Sequence, residues 1–157
     1  MENNLQSIRF FLPELILILT ILFIIVCDLI PSISKYSFNL TLFGLIFIGL
    51  MMILSGPSGE FIFNNMLYDD AFSYYFNLII LFSTFSIILV SKFSKELDDE
   101  YRIEYNTLLL VVMLGMFLMT SSINLVMIYL SLELVSIPSY ILAGILKNDK
   151  KSNEAAL

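Results

Sequence analysis

The sequence predicts an all-α membrane protein of about five transmembrane helices, organised as one domain over residues 1–157. Three observations predict it. The chain is 59% hydrophobic with a mean hydropathy of +0.91, far above the range of soluble domains. Its charges gather in short segments separated by uncharged or nearly uncharged runs, and a membrane-spanning helix needs about 20 such residues. Between Tyr105 and Leu146 there is one charged residue, Glu133, in a stretch long enough for two helices.

The helices are expected at about 10–30, 37–54, 72–91, 106–122 and 124–146, with 147–157 forming a loop and the start of a next helix. The first opens on Pro13-Glu14. Proline suits an early helical position and the N-terminal dipole favours an acid, so Glu14 reads as an end-capping acid at the interface. Asp28, near the other end, reads as a solvated or snorkelling acid. Cys27 reads as an inert buried thiol. Pro31-Ser32 and the run Ser55-Gly56-Pro57-Ser58-Gly59 close the first two spans. Before the third, Tyr68 and the aromatics from Phe72 to Phe76 suit an outer interface belt, and the loop leading to them has room for a short strand or hairpin. The charged segment 92–104 separates the third and fourth helices, with Glu104 immediately before the fourth. The fourth and fifth are joined so tightly, near Ser121-Ser122-Ile123-Asn124, that they are expected to pack antiparallel. Helix interfaces in lipid favour small residues, and Gly44, Gly49 and Gly115 are placed to allow close approach.

Basic residues orient the chain. Lys35, Lys92, Lys95, Arg102, Lys147, Lys150 and Lys151 follow the first, third and fifth helices, whereas Arg9 stands alone on the other side. The positive-inside tendency then puts the N-terminus outside and the segment after Leu146 on the cytoplasmic or matrix side. The first helix lacks a basic n-region and a small-residue cleavage site, and is expected to stay in the membrane.

Composition excludes several classes. The net charge of −6 offers no basic surface for nucleic acid. With no histidine and one cysteine, the chain has no cluster for zinc, haem or iron–sulfur. No phosphate loop is present. Neither a metal nor a cofactor is expected in this chain.

Glu133 is the leading site candidate. A charged side chain at a helix centre costs roughly 2.5 to 3.5 kcal/mol on insertion scales, so such a residue needs a use or a partner. At 100° per residue, Tyr129, Ser136, Tyr140 and Gly144 fall within about 60° of it. Ile128, Val135 and Leu142 lie on the far side, which gives one polar stripe and one lipid-compatible face. Pro138 has no N–H and crowds the carbonyl of Leu134, which weakens the helix one residue past the acid and offers a place for water to enter. All lysines and arginines lie in loops or at helix ends, so none within the five helices can pair with Glu133. A glutamic acid that only hydrogen-bonds a neighbouring helix is the bland alternative.

Three stretches resemble a known family. They are Phe11-Leu12-Pro13-Glu14-Leu15, Asp70-Ala71-Phe72-Ser73-Tyr74-Tyr75-Phe76, and Tyr129-Leu130-Ser131-Leu132-Glu133-Leu134-Val135-Ser136-Ile137-Pro138-Ser139-Tyr140, the last followed by a basic turn and Ser152-Asn153-Glu154-Ala155-Ala156-Leu157. Together they resemble the antiporter-like membrane subunits of NADH–quinone oxidoreductase (respiratory complex I), in wording closest to subunit N. The resemblance implies a proton-translocating membrane-arm subunit. It implies NADH, FMN, iron–sulfur clusters and quinone in partner subunits, and other membrane-arm subunits and the lipid bilayer as partners. Glu133 falls on the family's relay glutamate, Glu104 near an acidic position before helix four, and Glu154 on the acid just ahead of the family's lysine. Tyr129, Ser136 and Tyr140 join them as accessory candidates on the proton path, and Pro138 as the kink. Family members usually have about fourteen helices, and their lysine is expected immediately after Leu157, so the resemblance implies that these residues are the first part of a longer subunit.

Two alternatives remain at this level. One is a subunit of a multisubunit cation/proton antiporter, which shares the glutamate helix. The other is a small structural or assembly membrane protein. The expected location is a bacterial inner membrane, or else a mitochondrial inner or plastid membrane.

Overall fold

A computed structural model of the protein describes residues 8–29, 36–94, 101–146 and 150–155. Lys35, Lys95 and Lys147, which contribute to the predicted orientation, lie outside the described residues, as do Pro31 and Leu157. Five long helices run in chain order: α1 (Leu12–Asp28), α2 (Ser37–Ser55), α3 (Ala71–Ser91), α4 (Arg102–Ser121) and α5 (Leu125–Ala143). Between α2 and α3 lies the antiparallel hairpin of β1 (Glu60–Ile62) and β2 (Leu67–Asp69), and a short helix α6 (Lys150–Ala155) follows α5. The helices α2 to α5 are 19, 21, 20 and 19 residues long, and each is apolar enough to cross a membrane.

Local chemistry explains most boundaries. At 17 residues, α1 is shorter than expected. Residues 8–10 are helical, Phe11 is a turn, and the helix restarts at Leu12. Pro13 is responsible, because it cannot donate to the carbonyl of Arg9 and crowds it. The Asp70 carboxylate accepts from the Ser73 N–H at 2.8 Å, and the Ser73 hydroxyl accepts from the Asp70 N–H at 3.0 Å. This reciprocal box starts α3 one residue earlier than expected. α4 begins at Arg102, not near 106, so Glu104 lies inside its first turn. A wet first turn tolerates charge, and the N-terminal dipole favours the acid there. The Arg102 guanidinium donates to the Ser91 carbonyl at 2.7 Å, which caps the end of α3. α5 is shorter than expected at its C-terminal end, where Gly144 is the C-cap.

The hairpin anticipated before α3 is present. Glu60, Phe61 and Ile62 face Asp69, Tyr68 and Leu67. Its tip holds Phe63, Asn64 and Asn65 at φ of 51°, 54° and 63°, a region asparagine tolerates and phenylalanine rarely adopts. The Phe63 ring meets Phe11 edge to face with centroids 5.2 Å apart, a contact worth about 0.5–1.5 kcal/mol beyond its buried area. The hairpin also straps the α4–α5 turn. The Ile123 N–H donates to the Met66 carbonyl at 3.1 Å, and Leu67 bridges to Ser122.

α4 is the central element and touches each of the other long helices. Its Leu110, Met113 and Phe117 are fully buried against Leu17 and Ile24 of α1, Leu45 and Ile48 of α2, and Ile88 of α3. Small residues set the closest approaches. A Cβ added at Gly115 would lie 2.8 Å from Val135 Cγ2 and 3.1 Å from the Val135 backbone nitrogen, so α4 and α5 meet backbone to backbone there. At Gly44 the same atom would lie 2.5 Å from Thr20 Cγ2. Gly49 is an ordinary contact, 3.5 Å from Leu81. α5 packs chiefly on α4 among the long helices and contributes no side chain to the buried hydrophobic cluster.

Candidate functional site

Glu133 lies near the middle of α5, a helix of membrane-spanning length. Tyr129 stands one turn away on the same side of the helix, with its hydroxyl near the carboxylate. Asn124 sets the register of the helix, accepting from the Val126 N–H at 2.8 Å as an N-cap. Downstream, three serines bond back to their own helix: Ser131 to the Met127 carbonyl at 2.7 Å, Ser136 to Leu132 at 2.7 Å and Ser139 to Val135 at 2.6 Å. Such back-bonds bend helices slightly. Pro138 sits inside α5 and leaves the Leu134 carbonyl without its i+4 donor. The helix is therefore continuous but softened beside the acid.

The structure reverses one expectation about this helix. The apolar side, with Val135, is the side packed on α4, and Ser131 and Pro138 are buried on that same side. The polar stripe faces away from α4. Tyr129 and Tyr140 are each 61% exposed, and Glu133 and Ser136 are half-buried. In lipid, apolar area does not drive helices together; close packing at small residues does. Gly115 supplies that groove, so α5 turns its Val135 face inward whatever its polarity.

The structure brings together Tyr129 and Glu133. It does not bring Ser136 to Glu133 by a hydrogen bond, because the Ser136 hydroxyl is spent on Leu132. Gly144, counted in the stripe on the wheel, lies beyond the helix as its C-cap. Glu104 is exposed in the first turn of α4, and Glu154 is exposed on α6, whose Ser152 hydroxyl donates to the Ala143 carbonyl at 2.7 Å. Asp28 is exposed at the end of α1 and Cys27 is buried, as expected of each. Among the described residues, no group of three or more His, Cys, Asp or Glu side chains could hold a metal ion.

A second polar locus is less legible in the sequence. Asn77 of α3 is buried and its Oδ1 accepts from the Thr120 hydroxyl of α4 at 2.6 Å. Asn106 of α4 is buried with its Oδ1 unpartnered among the described residues. The available signal was an asparagine inside an apolar run, since an amide in lipid needs a partner. Glu14 departs from its reading as an interface acid. It is only 9% exposed, and it lines a cavity of about 440 Å³ with Asn77, Asp69 and Glu60.

The segment around this site matches known proteins. A family model for the transmembrane region of NADH:quinone oxidoreductase and Mrp antiporters matches residues 122–157, which include all of α5. NADH-quinone oxidoreductase subunit N of an Anaeromyxobacter species is 35% identical over 161 aligned residues, covering 99% of this chain and 31% of that protein. Subunit N 2 of Sorangium cellulosum is 39% identical over 171, covering 99% of this chain and 33% of that protein. Subunit N 2 of Chloroherpeton thalassium is 40% identical over 154, covering 94% and 30%. The chain thus spans about a third of the length of the curated relatives it matches. Over nearly its whole length, this chain is similar in sequence to about a third of NADH-quinone oxidoreductase subunit N, an antiporter-like membrane subunit.

Proposed function

We propose that this chain forms part of a proton-translocating membrane-arm subunit of NADH–quinone oxidoreductase, with Glu133 as a relay acid. The observation that carries the reading is the placement of Glu133. It lies mid-way along a membrane-length helix, one turn from Tyr129, on the side turned away from α4. A carboxyl group at that depth is stable only against a proton, a cationic partner or water. The softened backbone at Pro138 gives water a route to it. Each of those three is what a proton relay requires. The relay step is a transfer to and from the Glu133 carboxyl group, with the Tyr129 hydroxyl near it. Redox chemistry and its cofactors belong to other subunits in this reading. The partners are the neighbouring membrane-arm subunits, and the setting is the bacterial inner membrane.

Glu133→Gln in the full-length protein tests this. The amide keeps the shape and loses the titratable proton. NADH-driven proton transport into membrane vesicles is expected to fall at least about tenfold, since a positioned proton-transfer group contributes roughly 10²–10⁴-fold. Transport at the wild-type rate in an assembled complex rejects the role. The matching family model also covers Mrp antiporters, so sodium-dependent flux without quinone-linked activity would favour that reading instead.

A further inference from the structure

We propose that Glu14 is a proton-exchange site open to the outer aqueous phase, built by the start of α1, the hairpin and the start of α3. It is a separate site from Glu133 and does not require Glu133 to relay protons. Glu14 sits in the first turn of α1, and an acid there ordinarily faces water beside the exposed N–H groups. Here the side chain is 9% exposed. Its Oε2 has no hydrogen-bond partner among the described residues. A buried carboxyl oxygen left bare is costly, unless it carries a proton or meets water.

The cavity of about 440 Å³ beside Glu14 has the polarity and size to bring water in. Its titratable lining comes from every side. Arg9 precedes α1, Glu60 is on β1, Asp69 is on β2 and Tyr74 is on α3. α2 and the loop after it contribute Met52, Ser55 and Ser58, none of which titrates in this range, and α4, also packed on α1, adds no titratable group to the lining. Asp69 is held in place, accepting from the Ser58 N–H at 2.9 Å through its carboxylate. Glu60 and Asp69 stand directly opposite each other in the hairpin, a like-charge pairing that is unfavourable by itself. Carboxyl groups thus outnumber the single guanidinium around a buried acid, an arrangement that attracts protons from bulk water. The exchange is simple: the protonated Glu14 carboxyl group releases a proton to cavity water, the carboxylate takes one back, and the proton passes to or from the outer phase.

A lipid-soluble carbodiimide tests the site, because it adds to protonated carboxyl groups in apolar surroundings. The full-length protein in right-side-out membrane vesicles is treated at a series of outer pH values with the inner pH clamped, and the adduct at Glu14 is quantified by peptide mass. Labelling is expected at acidic outer pH, falling about tenfold for each unit above its midpoint, with no response to inner pH. Glu14→Gln removes the adduct. Labelling that follows inner pH, that ignores both, or that never occurs overturns the proposal. The wild-type protein supplies the decisive reading, so a folding defect in the variant does not blur it. If Glu14 follows outer pH while Glu133→Gln still pumps, this inference stands and the relay reading falls. The reverse pair of results rejects this inference alone.

Discussion

Gly115 is where one atom decides how two helices meet. A methyl group there would press on Val135 Cγ2 at 2.8 Å, on the Val135 nitrogen at 3.1 Å and on the Leu134 carbonyl carbon at 3.2 Å. Two of those three neighbours are backbone and cannot rotate away. Gly115→Ala is therefore expected to destabilise the protein by about 1–3 kcal/mol, read as a lowered thermal unfolding midpoint in detergent. Gly49→Ala is the control, since its nearest neighbour is the flexible end of Leu81 at 3.5 Å; it should stay within about 0.5 kcal/mol. If the two variants unfold alike, α4 and α5 do not meet as described. Gly115 was visible in the sequence as a small residue in an apolar run. What it touches was not, because composition says nothing of which helix arrives opposite. Glu14 shows the same limit from the other side. Its helical position follows from Pro13, but its burial depends on a hairpin some fifty residues away in sequence.

At the scale of elements, apolar run length gave the long helices, and capping chemistry fixed their ends. The Asp70–Ser73 box is a local signal that sets the start of α3. Asp70→Ala is expected to cost about 1 kcal/mol. Faster amide hydrogen exchange over the first turn of α3, with α4 unchanged, is the corresponding observation; unchanged exchange at Ser73 and Tyr74 would rule the cap out. The start of α4 was harder to read, since Arg102 and Glu104 look like wet loop. Their helical placement depends on a tertiary partner, the Ser91 carbonyl that Arg102 reaches. The facing of α5 was unreadable for a different reason. A periodic pattern distinguishes two sides of a helix, but in lipid both polar and apolar sides have uses, and the choice is made by a glycine on another helix.

For the whole molecule, the arrangement is three helices gathered around α4, with α5 laid on its remaining side. Charge distribution predicts the sidedness of that assembly, and it is open to direct measurement. Cys27 is 3% exposed, so the native thiol gives a quiet background for labelling. A membrane-impermeant maleimide is expected to modify Ser58→Cys in intact cells and Ser152→Cys only after permeabilisation. The opposite pattern inverts the topology and moves the Glu14 cavity to the inner side.

The strap between the hairpin and the α4–α5 turn has a mechanical consequence. Hydrogen bonding to Met66 ties the Leu125 end of α5 to the hairpin, and the close approach of Val135 to Gly115 ties its middle to α4. At 1.5 Å per residue, Glu133 stands about 14 Å along the helix from the first tie and about 3 Å from the second. The carboxyl group is thus carried by the best-anchored half of α5, and a displacement of the hairpin or of α4 would reach it almost undiminished.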